Sequence, residues 1–226
     1  MGKANEMDDP QSQFWSKAAR NYDRIVDLQI GPATRSMVRE RIGKEVALGK
    51  VAEFGCGTGF YTLALASKAD SVVATDLSPG MLLLAQERVK ANNVKFQIED
   101  CQKTSLPAEA FDTAFMSLVI HFTDPEKTIA EMRRILKPGG SLIISNLDVG
   151  ALRGLDLIRC RIRIIYCGLT GYRVKPPKGF GDNVMSEKQL CDLLGKFQFE
   201  ILSAETVRDT SRPSHIPVQY IKAAKA

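Results

Sequence analysis

A glycine-rich turn constrains the fold of this chain more than any other feature. An apolar segment, 51–54, runs into Gly55, Gly57 and Gly59, and a helix-like pattern follows from Tyr61. A strand, a tight turn and a helix in this order form the place where open α/β sheets bind nucleotides. Glycines suit the turn because it needs unusual backbone angles and because a ligand must approach the backbone closely. The motif therefore predicts an α/β fold with a nucleotide site at the turn.

The residues around the turn indicate which kind of nucleotide fits. Phe60 stands where a dinucleotide motif, G-x-G-x-x-G/A, requires glycine or alanine. Glu53 lies two residues before Gly55, and a carboxylate there repels a pyrophosphate but attracts a cation. Asp76 ends a second apolar run, in the position of the acid that takes ribose hydroxyls. S-adenosylmethionine fits this pattern, because it carries an ammonium and a sulfonium and no phosphate.

The segment 53–59 resembles motif I of the class I S-adenosylmethionine-dependent methyltransferases. Later passages resemble the same family in the same order: a predicted strand at 94–101, a predicted buried strand at 111–122, and a helix opened by Asp124 that leads through the run RRILKPGG into a strand at 141–145. These matches cover about residues 51–146. Within the family, the chain resembles the small-molecule branch that includes the ubiquinone and menaquinone biosynthesis methyltransferases.

The resemblance implies an α/β fold, a Rossmann-like, seven-stranded, mostly parallel sheet with an antiparallel last strand and helices on both faces. Patterns outside the matched region complete it, with helices predicted at 14–26, 33–42 and 186–197 and strands at 197–204 and 218–224. We expect a single methyltransferase domain over 1–226. Its parts are an N-terminal helical arm (1–48), a donor-binding core (49–148), a substrate-lid insertion (149–181), and a C-terminal helix with two strands (182–226).

The resemblance also implies a set of residues that bind the donor, S-adenosyl-L-methionine. Asp76 takes the ribose, Asp100 accepts from the adenine amine beside the backbone of Cys101, and Glu53 lies near the cationic amino-acid end. Tyr22, in the sequence Asn-Tyr-Asp, touches the donor or the acceptor, or is a core tyrosine whose hydroxyl bonds to backbone. The full predicted set is Tyr22, Glu53, Gly55, Cys56, Gly57, Gly59, Asp76, Leu77, Asp100, Cys101 and Ser117.

His121 and Tyr22 are the candidate catalytic residues. The predicted fourth strand ends near His121, which places this histidine at the sheet edge where ligands bind. A neutral imidazole can deprotonate an acceptor hydroxyl or thiol, whereas a histidine in such a place also serves simply to position a loop. Methyl transfer from a sulfonium can proceed without a strong base, because alignment of the reacting atoms supplies much of the rate.

Composition excludes several other classes of protein. The segment 1–9 is polar and acidic, which predicts no signal peptide, and no apolar run approaches the ~20 residues that span a bilayer. Five cysteines without a C-x-x-C pair predict neither a disulfide framework nor a metal site, so we expect a cytoplasmic protein. After the fourth strand the chain lacks the Asn/Asp-Pro-Pro-aromatic run of enzymes that methylate exocyclic amines. Nucleic acid is therefore a disfavoured substrate.

The insertion at 149–181 is basic. Residues 1–148 carry 18 Lys and Arg against 19 Asp and Glu, whereas residues 149–226 carry 13 against 7. The segment 155–169 fits a helical stripe, although 158–164 alternates and also fits a strand. We expect a helix, hinged at 174–181, that forms a mobile lid. Its arginines, among them Arg159, Arg163 and Arg173, face an anionic acceptor, a membrane surface or solvent.

The sequence thus predicts an enzyme that transfers a methyl group from S-adenosylmethionine to a small-molecule acceptor by in-line displacement. A nicotinamide-dependent oxidoreductase is the first alternative, which Phe60 and Glu53 disfavour. The second is a non-catalytic protein that binds S-adenosylmethionine.

Overall fold

The computed structural model describes residues 9–170 and 183–226. The helices are α1 (Pro10–Ile30), α2 (Pro32–Lys44), α3 (Thr62–Ala66), α4 (Pro79–Arg88), α5 (Pro125–Ile135), α6 (Gly154–Thr170) and α7 (Glu187–Lys196). The strands are β1 (Gly49–Phe54), β2 (Ala69–Asp76), β3 (Val94–Ile98), β4 (Phe111–Ser117), β5 (Leu136–Leu147), β6 (Phe199–Val207) and β7 (Val218–Lys225). Short 3₁₀ turns follow β4 at Ile120–Phe122 and β5 at Val149–Ala151.

All seven strands form one sheet in the order β3-β2-β1-β4-β5-β7-β6. Strands β1 to β5 pair in parallel, and β7 runs antiparallel to both of its neighbours, β5 and β6. The predicted Rossmann-like sheet is therefore confirmed. The strand order reverses between β1 and β4, and such a switch point leaves a crevice at the carboxyl ends of the strands.

Helices cover both faces of the sheet, as predicted. Alternate side chains of each strand point to opposite faces, and two apolar clusters result. Val51, Phe115 and Ile143 pack with residues of α1 to α4 on one face, whereas Phe54 and Met116 pack with α5 and α7 on the other. Burying each such side chain contributes about 1.5–3 kcal/mol. A third cluster packs Phe14, Trp15 and Ala18 of α1 against Met81 of α4.

Capping residues set where several helices begin. The Asp124 side chain accepts hydrogen bonds from the backbone amides of Glu126 and Lys127, and Pro125 opens α5 with its ring at the first position. Ser186 and Gln189 form a capping box at the start of α7. Both starts agree with the sequence prediction.

The fourth and third strands are shorter than predicted. The prediction that β4 continues to residue 122 is wrong: β4 ends at Ser117, Leu118 adopts a φ of 58°, and a buried 3₁₀ turn follows. An uninterrupted apolar run looks the same in a buried strand and in a buried turn, so periodicity could not separate them. Similarly, β3 ends at Ile98 and not at residue 101. β5 begins earlier than predicted, at Leu136, directly after α5.

The ambiguous insertion forms a helix, α6, as expected. The predicted joint at 174–181 and residues Arg173, Lys175 and Lys178 lie outside the described residues. Within the described ranges, no helix is both long and apolar enough to cross a membrane. The same residues bring together no group of His, Cys, Asp and Glu side chains that could hold a metal ion.

Candidate donor-binding site

A cavity opens at the carboxyl edge of the sheet, at the switch point between β1 and β4. The cavity takes its walls from the glycine turn, from the ends of β2 and β3, from the turn after β4, and from α1. Seven of the predicted donor residues line it: Tyr22, Gly55, Gly57, Asp76, Leu77, Asp100 and Cys101.

A smaller recess adjoins this cavity and shares Tyr22, Gly55 and Leu118 with it. The remaining predicted residues from β1 and β4 line this recess: Glu53, Cys56 and Ser117. The two spaces together bring ten of the eleven predicted donor residues to one site.

Gly59 is the exception, because it is not among the described residues that line the cavity or the recess. A β-carbon built there would stand 3.0 Å from Cγ2 of Val89 and 3.2 Å from Cα of Ala85. Its φ of 77° is also one that other residues rarely adopt. Gly59 thus lets α4 pack closely against the turn.

Asp76 holds the glycine turn in shape. Its Oδ2 accepts a hydrogen bond from the Gly57 amide (2.8 Å), and its Oδ1 accepts one from the Ser78 amide (2.9 Å). Burial raises the pKa of Asp76 to about 6 despite these bonds. Because each carboxylate oxygen has two acceptor positions, both oxygens retain capacity for a ligand hydroxyl in the cavity.

Glu53 is fully enclosed in the recess. Burial raises the pKa of this carboxyl to about 8, and the neighbouring charge of Asp76 acts in the same direction. Its Oε2 has no hydrogen-bond partner among the described residues. A buried polar atom left unpaired costs about 1–3 kcal/mol, so a cationic ligand donating to this oxygen would be stabilised there.

Arg35 supplies the recess with a positive charge. It forms ion pairs with Asp23 (2.8 Å) and Asp27 (2.9 Å), and its guanidinium carbon lies 3.8 Å from the ring centroid of Phe60. The guanidinium Nε has no partner within the described part of the chain. Phe60, which is incompatible with a dinucleotide motif, therefore positions the arginine. A recess lined by a carboxyl and a guanidinium complements a zwitterion, such as the amino-acid end of S-adenosylmethionine.

Asp23 ties the N-terminal arm to the turn and to α4. Its carboxylate accepts from the Thr58 hydroxyl (3.0 Å), from Arg88 (2.6 Å) and from Arg35 (2.8 Å). These bonds fix the neighbouring Tyr22, which lines both the cavity and the recess.

Asp100 and Cys101 lie in the loop after β3, where they line the cavity. The Asp100 carboxylate accepts from the Gln102 amide at 2.9 Å, which orders the loop. Burial raises the pKa of the Cys101 thiol to about 12 and that of the Cys56 thiol well above its ordinary value. Both thiols are protonated at neutral pH, which favours a role as packing or hydrogen-bonding groups over one as nucleophiles.

His121 lies away from the cavity, in the 3₁₀ turn after β4. It is 4% exposed, its Nδ1 is 3.0 Å from Oδ1 of Asn146, and its ring lies 3.9 Å from that of Phe122. Burial lowers the pKa of the imidazole to about 4, so it is neutral at physiological pH. The predicted position at the end of the strand is wrong, and the described residues that line the cavity and recess do not include it. Phe122, its neighbour, does line the cavity.

The basic side chains of α6 are also outside both spaces as far as the structure describes them. Arg159 is exposed and lies 3.6 Å from Asp156, and Arg163 donates to the backbone carbonyl of Ser214. Arg173 lies outside the described residues.

Sequence reasoning missed several residues of the site. Gln11 and Trp15 of α1, Met81 of α4 and Phe122 line the cavity, and Arg35 of α2 lines the recess. Gln11 and Trp15 lie near the start of α1, a helix that the sequence predicted. The apolar pattern of this helix did not show that its first turns cover a cavity. Arg35 carried no signal, because arginines are seldom buried.

The chain was compared with known proteins. A family model described as a methyltransferase domain matches residues 52–144, from β1 into β5. A malonyl-[acyl-carrier protein] O-methyltransferase of Serratia marcescens is 32% identical over 160 residues, which cover 69% of this chain and 60% of that protein. The chain therefore carries a methyltransferase domain similar to those of S-adenosylmethionine-dependent methyltransferases, and it spans about 60% of the length of the Serratia relative. Its resemblance to the ubiquinone and menaquinone branch of this family stays a prediction.

Other proteins are also similar to this chain in sequence or in fold. A malonyl-[acyl-carrier protein] O-methyltransferase of Paenibacillus sp. (strain JDR-2) is 26% identical, with 96% of this chain and 79% of that protein covered. A methyltransferase structure from Aquifex aeolicus has a TM-score of 0.60 at 22% identity, covering 85% of this chain and 89% of that one. The [4+2]-cyclase SpnF has a TM-score of 0.68 at 18% identity, covering 95% and 94%. The two structures share the fold, and the cyclase shows that this fold also carries other chemistry.

Proposed function

We propose that this protein transfers a methyl group from S-adenosylmethionine to a small-molecule acceptor, and that the acceptor presents a carboxylate oxygen. The observation that carries the proposal is the recess lined by Glu53 and Arg35, each with an unpartnered polar atom among the described residues, beside the cavity that Asp76 and Asp100 line. An ammonium group would donate to the unpartnered Glu53 oxygen and a carboxylate would accept from the unpartnered Arg35 Nε, whereas a ligand with only one of these groups would satisfy only one of the two atoms.

In this proposal different residues of the site bind different parts of the donor. Asp76 accepts from the ribose hydroxyls, Asp100 accepts from the adenine amine, and Leu77 and Met81 supply apolar contact. Glu53 and Arg35 hold the ammonium and carboxylate of the amino-acid end. Each charge-assisted bond is worth about 1.5–3 kcal/mol.

When bound, S-adenosylmethionine would supply a methyl group on a cationic sulfur: an acceptor oxygen would form a bond to the methyl carbon as the carbon–sulfur bond breaks in line, and S-adenosylhomocysteine would leave. The chain contributes position: Tyr22 and Leu118 lie where the cavity meets the recess and restrict the approach of the acceptor. Holding two reactants in line is worth an effective concentration of ~10⁵ M or more. Tyr22 is therefore proposed to contact the reacting groups, whereas His121 is proposed to position the turn that carries Phe122.

The carboxylate acceptor is inferred from the relatives and from the place of His121, which is not among the described residues that line the cavity. The relatives are named for O-methylation of a malonyl group on a carrier protein, and a malonyl group has a free carboxylate. A carboxylate has no proton to lose at neutral pH, so it needs no general base. This agrees with a buried, neutral His121 that lies outside the described cavity walls.

The test is transfer of labelled methyl from S-adenosylmethionine to a malonyl thioester, analysed by mass spectrometry. We expect a monomethyl ester to form, and none to form on a thioester whose carboxylate is already esterified. Binding of S-adenosylhomocysteine without transfer to any acceptor would support a non-catalytic donor-binding protein. Binding of NADH in place of S-adenosylhomocysteine would support an oxidoreductase.

A further inference from the structure

Helix α6 has two contrasting faces. Cys160 is fully buried, and Leu157 packs against the apolar cluster that α1 to α4 form on the sheet. The other side exposes four large aliphatic side chains, Leu155 (69% exposed), Ile158 (54%), Ile162 (63%) and Ile165 (62%), and Tyr166 (57%) is exposed beside them. Exposed apolar residues are common singly, but a contiguous group of them marks a surface that another body covers.

The spacing of these four residues makes them one stripe, which we call the α6 stripe. At ~100° per residue, positions 155, 158, 162 and 165 fall within roughly a quarter to a third of the helix circumference. Arg159 lies just beyond one border of the stripe, and Arg161 lies just beyond the other. Both arginines are exposed. The buried Cys160 falls on the opposite side of the helix.

We propose that the α6 stripe lies on the surface of an anionic lipid bilayer. An apolar face bordered by arginines on both sides has the composition of a helix that lies in the membrane interface, because the apolar side chains enter the acyl boundary and the cations meet lipid phosphates. The four residues of the stripe are aliphatic, and the polar groups that a protein partner also presents would find no partner on them. The C-terminal third of the chain, with 13 Lys and Arg against 7 Asp and Glu, adds attraction to an anionic surface.

Docking through this face would place the donor cavity near lipid. α6 follows the carboxyl end of β5, which is the edge of the sheet where the cavity opens. α6 also contacts α1, whose Gln11 and Trp15 line the cavity. An acceptor that carries an apolar chain would then reach the site from the membrane surface.

The experiment is co-sedimentation of the full chain with vesicles of phosphatidylcholine alone and of phosphatidylcholine mixed with phosphatidylglycerol. We expect binding to the mixed vesicles that weakens as salt rises. The double variant Ile158→Ser/Ile162→Ser should weaken binding ~10-fold or more, and Arg159→Gln/Arg161→Gln should weaken it by several-fold (~3 to 10). A matched control is Leu83→Ser/Leu202→Ser, because these two side chains are equally exposed (58% and 52%) but lie on α4 and β6.

Three results would overturn the proposal. The first is no sedimentation with either kind of vesicle, and the second is an equal loss of binding in the control. The third is a stable dimer, or a complex with an acidic carrier protein, that the α6 stripe variants abolish while vesicle binding persists. Affinity for S-adenosylhomocysteine checks that the variants fold, because the stripe residues lie outside the described cavity walls. Since vesicle binding needs no methyl transfer, its failure is distinct from failure of the proposed function.

Discussion

The ring of Tyr22 lies against Gly57: a β-carbon built at Gly57 would stand 3.3 Å from Cε1 of Tyr22. This contact joins the N-terminal arm to the glycine turn, and the hydrogen bonds of Asp23 hold it. The donor site is therefore shaped by two parts of the chain that are far apart in sequence. Changes in either part should alter donor affinity.

Gly57→Ala should weaken both folding and donor binding. The φ of 54° disfavours a side chain, at a cost of about 1–2 kcal/mol, and the new methyl group must displace Tyr22. Thermal unfolding and calorimetry with S-adenosylhomocysteine measure the two effects. Gly43→Ala is the matched control, because nothing lies within 4 Å of its β-carbon position and alanine favours a helix by about 0.5–1 kcal/mol. An unchanged affinity in Gly57→Ala would contradict the contact.

Asp23→Asn should lower donor affinity more than Asp27→Asn does. Both carboxylates pair with Arg35, but only Asp23 also accepts from Thr58 and Arg88. Removing the charge of Asp23 should weaken the binding free energy of the donor by about 1–3 kcal/mol. Removing the charge of the more exposed Asp27 should weaken it by at most ~1 kcal/mol. Calorimetry on the two variants compares them directly. Equal effects would show that Asp23 does not hold the turn.

Glu53 should make the ligand-free protein less stable as pH rises. Its pKa is raised from 4.5 to about 8, so the folded state keeps a proton that the unfolded state loses. The unfolding free energy should therefore fall between pH 4.5 and about 8. The pKa of Asp76 is raised from 3.8 to about 6, so this residue also lowers the unfolding free energy as the pH rises through that range. Urea unfolding at several pH values should show a flatter profile for Glu53→Gln, and an identical profile would rule out this role.

Asp100→Ala tests whether Asp100 recognises the adenine or only orders the loop after β3. If the carboxylate accepts from the adenine amine, the variant should lose about 1.5–3 kcal/mol of affinity for S-adenosylhomocysteine. It should lose little for an analogue that carries hydrogen in place of the amine. Similar losses for both ligands would mean that Asp100 acts only through its bond to Gln102, which is 2.9 Å long.

Much of the fold could be predicted, because the glycine turn and the apolar runs fix the order of strands and helices locally. Chain connection then determines which strand ends meet at the switch point. The end of β4 could not be predicted, since Leu118, Val119 and Ile120 continue the apolar run while the backbone turns at Leu118. In such a run the apolar pattern indicates that the segment is buried, but it does not indicate whether the backbone continues straight or turns.

The donor residues next to the glycine turn could be predicted for the same reason, because their places follow from strand ends. Arg35 could not. It is 3% exposed through long-range contacts with Asp23, Asp27 and Phe60, and nothing in the local sequence of α2 signals them. The predicted position of His121 at a strand end was wrong because the prediction extended β4 beyond Ser117, where the strand ends.

The most direct test of the donor site is titration calorimetry of S-adenosylhomocysteine with the parent protein, Asp76→Asn and Asp76→Ala, with NADH as the competing ligand. The account predicts that the parent binds S-adenosylhomocysteine and not NADH. Both variants should bind at least ~10-fold more weakly, because a charge-assisted bond to the ribose is lost. Asp76→Asn keeps an acceptor for one backbone amide and should remain folded. A parent that binds NADH alone, or an Asp76→Asn variant that is folded and binds S-adenosylhomocysteine as tightly as the parent, would contradict the account.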